Sequence, residues 1–321
     1  MVAFEGYLGI DTSCYTTSVA VLDRQGNLVD EVRRILEVKP GRRGLAQSEM
    51  VFQHTRNLPE LIEKIFHRHD MKIIGIGVSK QPRPIEDSYM PAFLSGYGLA
   101  RSLASILKAE LIPISHQENH LEAGIWSSGF KICSDFLMLH ASGGTTDLIL
   151  AEPQATGNFR LNEIGGSIDL HAGQYVDRVG VALGLQFPAG AELEKLAAQS
   201  EEIYSLPVAV KGCEISLSGP ATAALRALDA GIVPAKIARG VEYSLAESFA
   251  RCILNAAKKH PISDVLLVGG VTANKYIRKH INGKLAEHNI MLYVPDSQYS
   301  SDNAVGCAAA ARKMLEKCDD R

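Results

Sequence analysis

Short apolar runs separated by polar turns recur along this chain. Residues 7–11, Tyr-Leu-Gly-Ile-Asp, read as a buried strand. A polar turn, Thr12-Ser-Cys-Tyr-Thr-Thr17, comes next. Strands over 18–22 and 28–35 follow, joined by the turn Asp23-Arg-Gln-Gly-Asn27. The same order returns at mid-chain: a strand over 136–141, the turn Ser142-Gly-Gly-Thr-Thr146, a strand over 147–151, a turn with Gly157 and Asn158, and a strand over 159–164. A supersecondary unit used twice predicts two similar domains facing each other across a cleft. Helical spacing predicts helices over 50–67, 94–107 and 237–258, the last leading into a strand over 264–268 and a helix opening near Asn274. Alternating strands and helices give the α/β class. The first domain is expected over 1–116 and the second over 117–302, with a C-terminal helix in 303–321 returning to the first.

With 321 residues, 46% hydrophobic and 21% charged, the chain can fill two cores. The net charge of −3 argues against a general nucleic-acid coat but leaves room for a local basic patch. Arg33, Arg34, Lys39, Arg42 and Arg43 are the candidates, and a solvated loop is the plainer reading. The six cysteines are scattered, with no Cys-x-x-Cys pair. The N-terminal residues lack a signal-peptide pattern, and no window approaches a membrane span. A reduced, cytoplasmic protein without a membrane segment is expected.

His116-Gln-Glu-Asn-His120 puts two imidazoles four residues apart, on one side of a helix. That spacing suits one metal ion held by two neutral nitrogens, and Asp302 in a Ser-Asp-Asn turn could add an oxygen. The alternative is an ordinary, partly buried pair. Three glycine turns let backbone N–H groups approach a phosphate: Ser142–Asp147, Phe187-Pro-Ala-Gly190 and Val268–Asn274. None is a Walker A or a dinucleotide fingerprint. Asp11 ends the first strand and either meets a metal or water or accepts hydrogen bonds from the turn backbone. His140 and His171 read as hydrogen-bonded structural histidines.

Several motifs in one order resemble a known family: Gly9-Ile-Asp-Thr-Ser-Cys14, His116–His120, Ala141-Ser-Gly-Gly-Thr145, Gly173-Gln-Tyr-Val-Asp-Arg178, Phe187–Gly190, Ser216-Leu-Ser-Gly219, Gly269–Asn274 and Ser301-Asp-Asn303. The duplicated halves resemble the superfamily of actin, sugar kinases and heat-shock ATPases. Within it, nearly the whole chain resembles the TsaD (Gcp) family, enzymes of tRNA threonylcarbamoyladenosine synthesis once described as O-sialoglycoprotein endopeptidases. The resemblance implies two duplicated ribonuclease-H-like domains. It implies one divalent metal, iron or zinc, on His116, His120 and Asp302. It implies an adenine nucleotide or adenylate, its phosphate on Ala141, Ser142, Gly143, Gly144 and Thr145, with Asp177 and Gly190 near the ribose and Asn274 by the adenine. The implied reaction moves a threonylcarbamoyl group from an adenylate to an adenosine in tRNA. The implied protein partner is a smaller TsaB-like paralogue, or a second copy, at the first domain.

The chain departs from the family pattern at several acids and bases. Tyr15-Thr16-Thr17 replaces Asp-Glu-Thr, and Asp169-Leu-His-Ala-Gly-Gln174 replaces Asp-Asp-Ala-Ala-Gly-Glu. Gln81-Pro-Arg-Pro84 replaces a Gly-Pro-Gly loop, Ser218-Gly-Pro-Ala-Thr222 lacks a lysine, and Thr145 replaces a histidine. The losses remove charge while the metal ligands and glycine turns persist. The chain is therefore expected to be a divergent paralogue that carries out this or a related carbamoyl transfer. The alternative is a nucleotide-binding regulator or scaffold. No activated nucleophile supports a protease, and a small-molecule kinase would rest on fold alone.

Overall fold

The computed structural model describes residues 4–38 and 45–319, so Lys39, Arg42 and Arg43 lie outside the described residues. The chain forms two compact units: residues 1–131, 154–159 and 301–321 in the first, and 132–153 and 160–300 in the second.

The first unit opens with strands β1 (Phe4–Asp11), β2 (Thr16–Asp23) and β3 (Leu28–Ile35). Helix α1 (Gln47–Arg68), strand β4 (Met71–Gln81), helix α2 (Phe93–Leu107), strand β5 (Glu110–Ser115) and helix α3 (His116–Ser128) follow. Among the described residues its sheet has the order β3-β2-β1-β4-β5. β1–β2 and β2–β3 are antiparallel; β1–β4 and β4–β5 are parallel. Leu8 and Ile10 of β1 and Ile76 and Val78 of β4 pack with Leu58, Leu61 and Ile65 of α1 and Ala100 of α2. Burying each large aliphatic side chain contributes about 1.5–3 kcal/mol.

The second unit holds β6 (Phe136–Ala141), β7 (Thr146–Pro153), β8 (Phe159–Ser167), α4 (Ala172–Ala182), α5 (Gly190–Ala197), β9 (Ala209–Lys211) and β10 (Glu214–Ser216). It continues with α6 (Ser218–Asp229), α7 (Pro234–Ala257), β11 (Asp264–Val268), α8 (Lys275–Ala286) and β12 (Met291–Tyr293). Its sheet order is β12-β11-β6-β7-β8-β10-β9, so β8-β7-β6-β11-β12 repeats the order of the first sheet. The duplication expected from the two apolar patterns is present. Leu137, Leu139, Val265 and Leu267 of the sheet pack with Tyr175 of α4 and Phe249 of α7.

The last helix, α9 (Val305–Asp319), returns to the first unit and packs on β1, β2, β4, β5 and α3. It lies on the sheet face opposite α1, because Gly77 alternates with the apolar Ile76 and Val78. A Cβ at Gly77 would sit 1.8 Å from the Cys307 carbonyl oxygen, and one at Gly306 would sit 2.0 Å from the Asn119 carbonyl oxygen. Only glycine permits these approaches of α9 to β4 and α3. The first unit therefore runs past the expected division at 116/117: α3 packs against α9, on the first-unit side.

Arg33 and Arg34 lie within strand β3, not in a loop. Arg33 pairs with Glu31, and Arg34 pairs with Glu60 at 2.8 Å and donates to Asn57 at 3.0 Å. Among the described residues, no helix is long and apolar enough to cross a membrane.

Candidate functional site

Helix α3 begins where the metal-ligand spacing predicted one. Ser115 is its N-cap: its hydroxyl accepts from the Glu118 N–H at 3.2 Å, and the Glu118 carboxylate accepts from the Ser115 N–H at 2.7 Å. This reciprocal cap fixes the first turn. His116 and His120 stand one turn apart, their Nε2 atoms separated by 3.1 Å. Asp302 comes from the segment just before α9. The Asn119 amide donates to the Asn303 carbonyl at 2.7 Å, and the Ala304 N–H donates to Ser18 Oγ at 2.9 Å. Both bonds hold the chain next to Asp302. Asp302 Oδ1 lies 3.5 Å from His116 Nε2 and 3.4 Å from His120 Nε2.

These three atoms form a triangle with edges of 3.1, 3.4 and 3.5 Å. Tetrahedral ligands about 2.0–2.1 Å from an ion lie about 3.3–3.4 Å from one another. Two imidazoles and a carboxylate at that spacing fit one face of a coordination sphere for zinc or ferrous iron.

The charges agree with that fit. Burial works against the His116 imidazolium, yet the carboxylates of Asp11 and Asp302 outweigh it and hold its pKa up at about 10. Burial likewise opposes the Asp302 carboxylate, but the two rings keep its pKa well below the usual carboxylate range. Burial and the neighbouring His116 push His120 down. The two carboxylates therefore favour a cation beside them, whether the His116 imidazolium itself or an ion.

Asp11 accepts hydrogen bonds, though from side-chain hydroxyls of the turn and of β4 and not, among the described residues, from the turn backbone. It is buried at the end of β1 and accepts from Ser13 Oγ at 2.8 Å and from Ser79 Oγ. Its Oδ1 is 3.7 Å from His116 Nδ1, beyond hydrogen-bond distance. Cys14, which ends the motif Gly9-Ile-Asp-Thr-Ser-Cys14 and was not expected to meet the metal residues, joins this group: its Sγ, a His116 ring nitrogen and an Asp302 oxygen all lie within 4.8 Å of one another.

In the second unit, β6 and β11 are parallel neighbours, so the turns after them adjoin at one end of the sheet. That is where ligands bind in open α/β sheets. Ser142–Thr145 closes its turn through Ser142 N–H to the Thr145 carbonyl at 2.8 Å. The N-terminal turn of α4 docks on it, Gly173 N–H donating to the Ser142 carbonyl at 3.0 Å. A Cβ at Gly143, Gly144, Gly190 or Gly270 would meet nothing within 4 Å, which leaves room for a ligand beside the backbone. Asp177 accepts from Ala189 N–H at 2.7 Å, immediately before Gly190 opens α5. Burial raises the Asp177 carboxyl.

Asn274 is the N-cap of α8. It accepts from Ile277 N–H at 3.0 Å and donates to Glu242 at 2.6 Å. Glu242 is buried on α7, also receives Arg239 at 2.6 Å, and is pushed by burial up to about 7. Arg239 in turn lies 4.5 Å from the centre of the Tyr276 ring. The sequence reading missed this network, since one glutamate inside an amphipathic helix carries no local signal.

Two of the replaced positions, Leu170 and Gln174, and the neighbouring Thr17 and Asp169 have structural duties. Thr17 is buried against His54 and Asn57, and Leu170 packs on the second core. Gln174 accepts from His171 N–H at 3.3 Å at the start of α4. Asp169 ties its loop to the next segment: it accepts from Ser216 Oγ at 2.6 Å, Ser218 Oγ at 2.5 Å and Leu217 N–H at 2.9 Å.

The model of the TsaD family, tRNA N6-adenosine threonylcarbamoyltransferase, matches residues 31–309. The chain belongs to the TsaD family. A tRNA N6-adenosine threonylcarbamoyltransferase of Thermus thermophilus is 31% identical over 313 residues, 97% of this chain and 93% of that protein. One of Archaeoglobus fulgidus is 28% identical over 309 residues, 96% and 91%. Among solved structures, the nucleotide- and phosphate-bound HypF superposes with a TM-score of 0.60 at 15% identity, covering 98% of this chain and 47% of that one. The activator of 2-hydroxyisocaproyl-CoA dehydratase from Clostridium difficile gives 0.55 at 16% identity and 98% of both chains. These structural likenesses establish the actin-like ATPase fold for this TsaD-family chain.

Proposed function

We propose that this protein transfers a threonylcarbamoyl group from an adenylate to an adenosine in tRNA, in the cytoplasm. The observation that carries the proposal is the triangle of His116, His120 and Asp302 in a chain of the TsaD family. Those residues hold one divalent metal, iron or zinc. When bound, the ion supplies a Lewis acid that polarises the carbonyl under attack.

The chain's other residues bind and orient. The turn Ala141–Thr145 offers backbone N–H groups to the donor's phosphate. Asp177 and Gly190 lie by the ribose, and Asn274, steadied by Glu242, lies by the adenine. In the transfer the adenosine amine forms a new C–N bond to the carbonyl carbon. The bond from that carbon to the phosphate oxygen breaks, AMP departs, and the amine proton passes to solvent. A smaller TsaB-like paralogue, or a second copy of this chain, is the proposed partner of the first unit.

The test is transfer from preformed threonylcarbamoyl-adenylate to unmodified tRNA by metal-loaded protein with its partner. Modified adenosine that disappears with His120→Ala is the expected result. A folded, metal-loaded, adenylate-binding protein that yields no modified tRNA would overturn the proposal.

A further inference from the structure

We infer that Cys14 supplies a fourth ligand, its thiolate, to the metal held by His116, His120 and Asp302. The inference rests on the metal triad proposed above and extends it to a residue outside that set. Cys14 Sγ belongs to a cluster with His116 and Asp302 in which every pair of ligating atoms lies within 4.8 Å. A sulfur about 2.3 Å from an ion and a nitrogen about 2.0–2.1 Å from it stand about 3.6 Å apart in a tetrahedron. Closing these three around an ion therefore needs a shift of up to about 1.2 Å, and His120, which lies outside that cluster, joins through its contacts with His116 and Asp302.

The turn that carries Cys14 is braced in position. His54 of α1 is fully buried and spans the turn: Nε2 is 3.2 Å from the Cys14 carbonyl oxygen and Nδ1 is 2.9 Å from Thr17 Oγ1. A carbonyl can only accept, so Nε2 carries the proton and Nδ1 accepts from the threonine hydroxyl. Leu36 N–H donates to the Tyr15 carbonyl at 2.8 Å, and Ser13 Oγ donates to Asp11 at 2.8 Å. Residues 13, 14, 15 and 17 are thus each held by a hydrogen bond on the backbone or side chain.

Binding breaks the S–H bond, forms a sulfur–metal bond and releases the proton to solvent. The resulting set of two nitrogens, one oxygen and one sulfur is softer than the triad and favours zinc. Four protein ligands also fill a tetrahedral zinc site. A substrate oxygen would then enter by displacing the thiolate or by raising the coordination number to five.

Cobalt(II) titrated into metal-free full-length protein tests this directly. The expected spectrum contains near-ultraviolet thiolate-to-cobalt charge-transfer absorption. In Cys14→Ser that absorption is absent, while cobalt still binds through the triad with an affinity weakened by more than roughly tenfold, the lower end of outer-shell losses. Circular dichroism checks the fold of the variant, and if it fails to fold, the wild-type spectrum decides. Cobalt bound by wild type and lost in His116→Ala, but without thiolate absorption, overturns the inference and leaves the triad. Thiolate absorption that survives in folded Cys14→Ser also overturns it. Wild-type protein that binds no cobalt overturns the triad and the inference together.

Discussion

Substitution of Gly77 should disturb the proposed metal site from a distance. Its missing side chain faces the backbone of α9, where an added Cβ would lie 1.8 Å from the Cys307 carbonyl oxygen. Ordinary contact begins at 3.4 Å, so Gly77→Ala forces α9 about 1.6 Å away from β4. Asp302 sits three residues before α9, on chain tied to α3 and β2 through Asn303 and Ala304, so a displaced α9 pulls on those ties and on the carboxylate between them and the imidazoles. Metal–ligand distances tolerate about 0.2 Å, so a shift several times larger takes the carboxylate out of reach of the two imidazoles. The overpacking itself costs about 1–3 kcal/mol. Gly75→Ala on the same strand is the control. There the nearest atom is the flexible tip of Leu315, at 2.5 Å, which can rotate aside. Zinc isotherms and urea denaturation of both variants should show weak zinc binding for Gly77→Ala and near-normal binding for Gly75→Ala. Equal zinc affinity in Gly77→Ala and wild type, or equal losses in the two variants, would refute the reasoning.

Zinc at a thousandfold excess over Kd should stabilise wild type by about 4 kcal/mol; His120→Ala should lose this gain, and a Tm rise on zinc addition that persists in the variant contradicts the triad. Glu242, pushed by burial to about 7 from 4.5, keeps its proton longer in the folded than in the unfolded chain. Its contribution to stability therefore falls as pH climbs from 4.5 to about 7 and is level above, and the stability difference between wild type and Glu242→Gln should change by about 3 kcal/mol across that window; a pH-independent difference would count against it. Asp169→Ala should lower stability by about 1–3 kcal/mol in denaturant, since two hydroxyls and a backbone N–H lose their acceptor. Donor hydrogen bonds outweigh burial and lower the Asp169 pKa, so its stabilisation is present above 3.8 and fades as pH falls below. Tyr15→Asp with Thr16→Glu should raise the transfer rate, by about 10²-fold if a carboxylate there moves a proton; an unchanged rate in the folded double variant would show that the acids are dispensable.

Where a segment's environment is uniform, the sequence was enough to find it. The strands at Leu28–Ile35, Phe136–Ala141 and Asp264–Val268 begin and end at the expected residues, because a strand's apolar content and flanking turns are local. The pairing of His116 with His120 was equally legible, since helical geometry fixes it. Asp302 was a candidate from its Ser-Asp-Asn turn, strengthened by the family motif, since no local rule brings position 302 to position 116. Strand β4 was not located, as two glycines dilute its apolar run, and those glycines exist for a helix that arrives some 230 residues later. The allocation of α3 failed for the same reason: its partner α9 is distant in sequence. Cys14 and Glu242 have neighbours made only by tertiary folding, so neither could be read beforehand.

The return of α9 also sets an order of events during synthesis. The second unit occupies an interval within the first and has all its residues once position 300 has emerged. The first unit must wait for its last helix, and its sheet leaves the ribosome with the α9 side uncovered. Domains fold as units and usually from the N-terminus; here the unit that starts the chain is the one that finishes last. On the proposed triad, a metal ion meeting the nascent chain before residue 302 emerges would find two imidazoles and no closing carboxylate, so the site would close only after the whole second unit has been made.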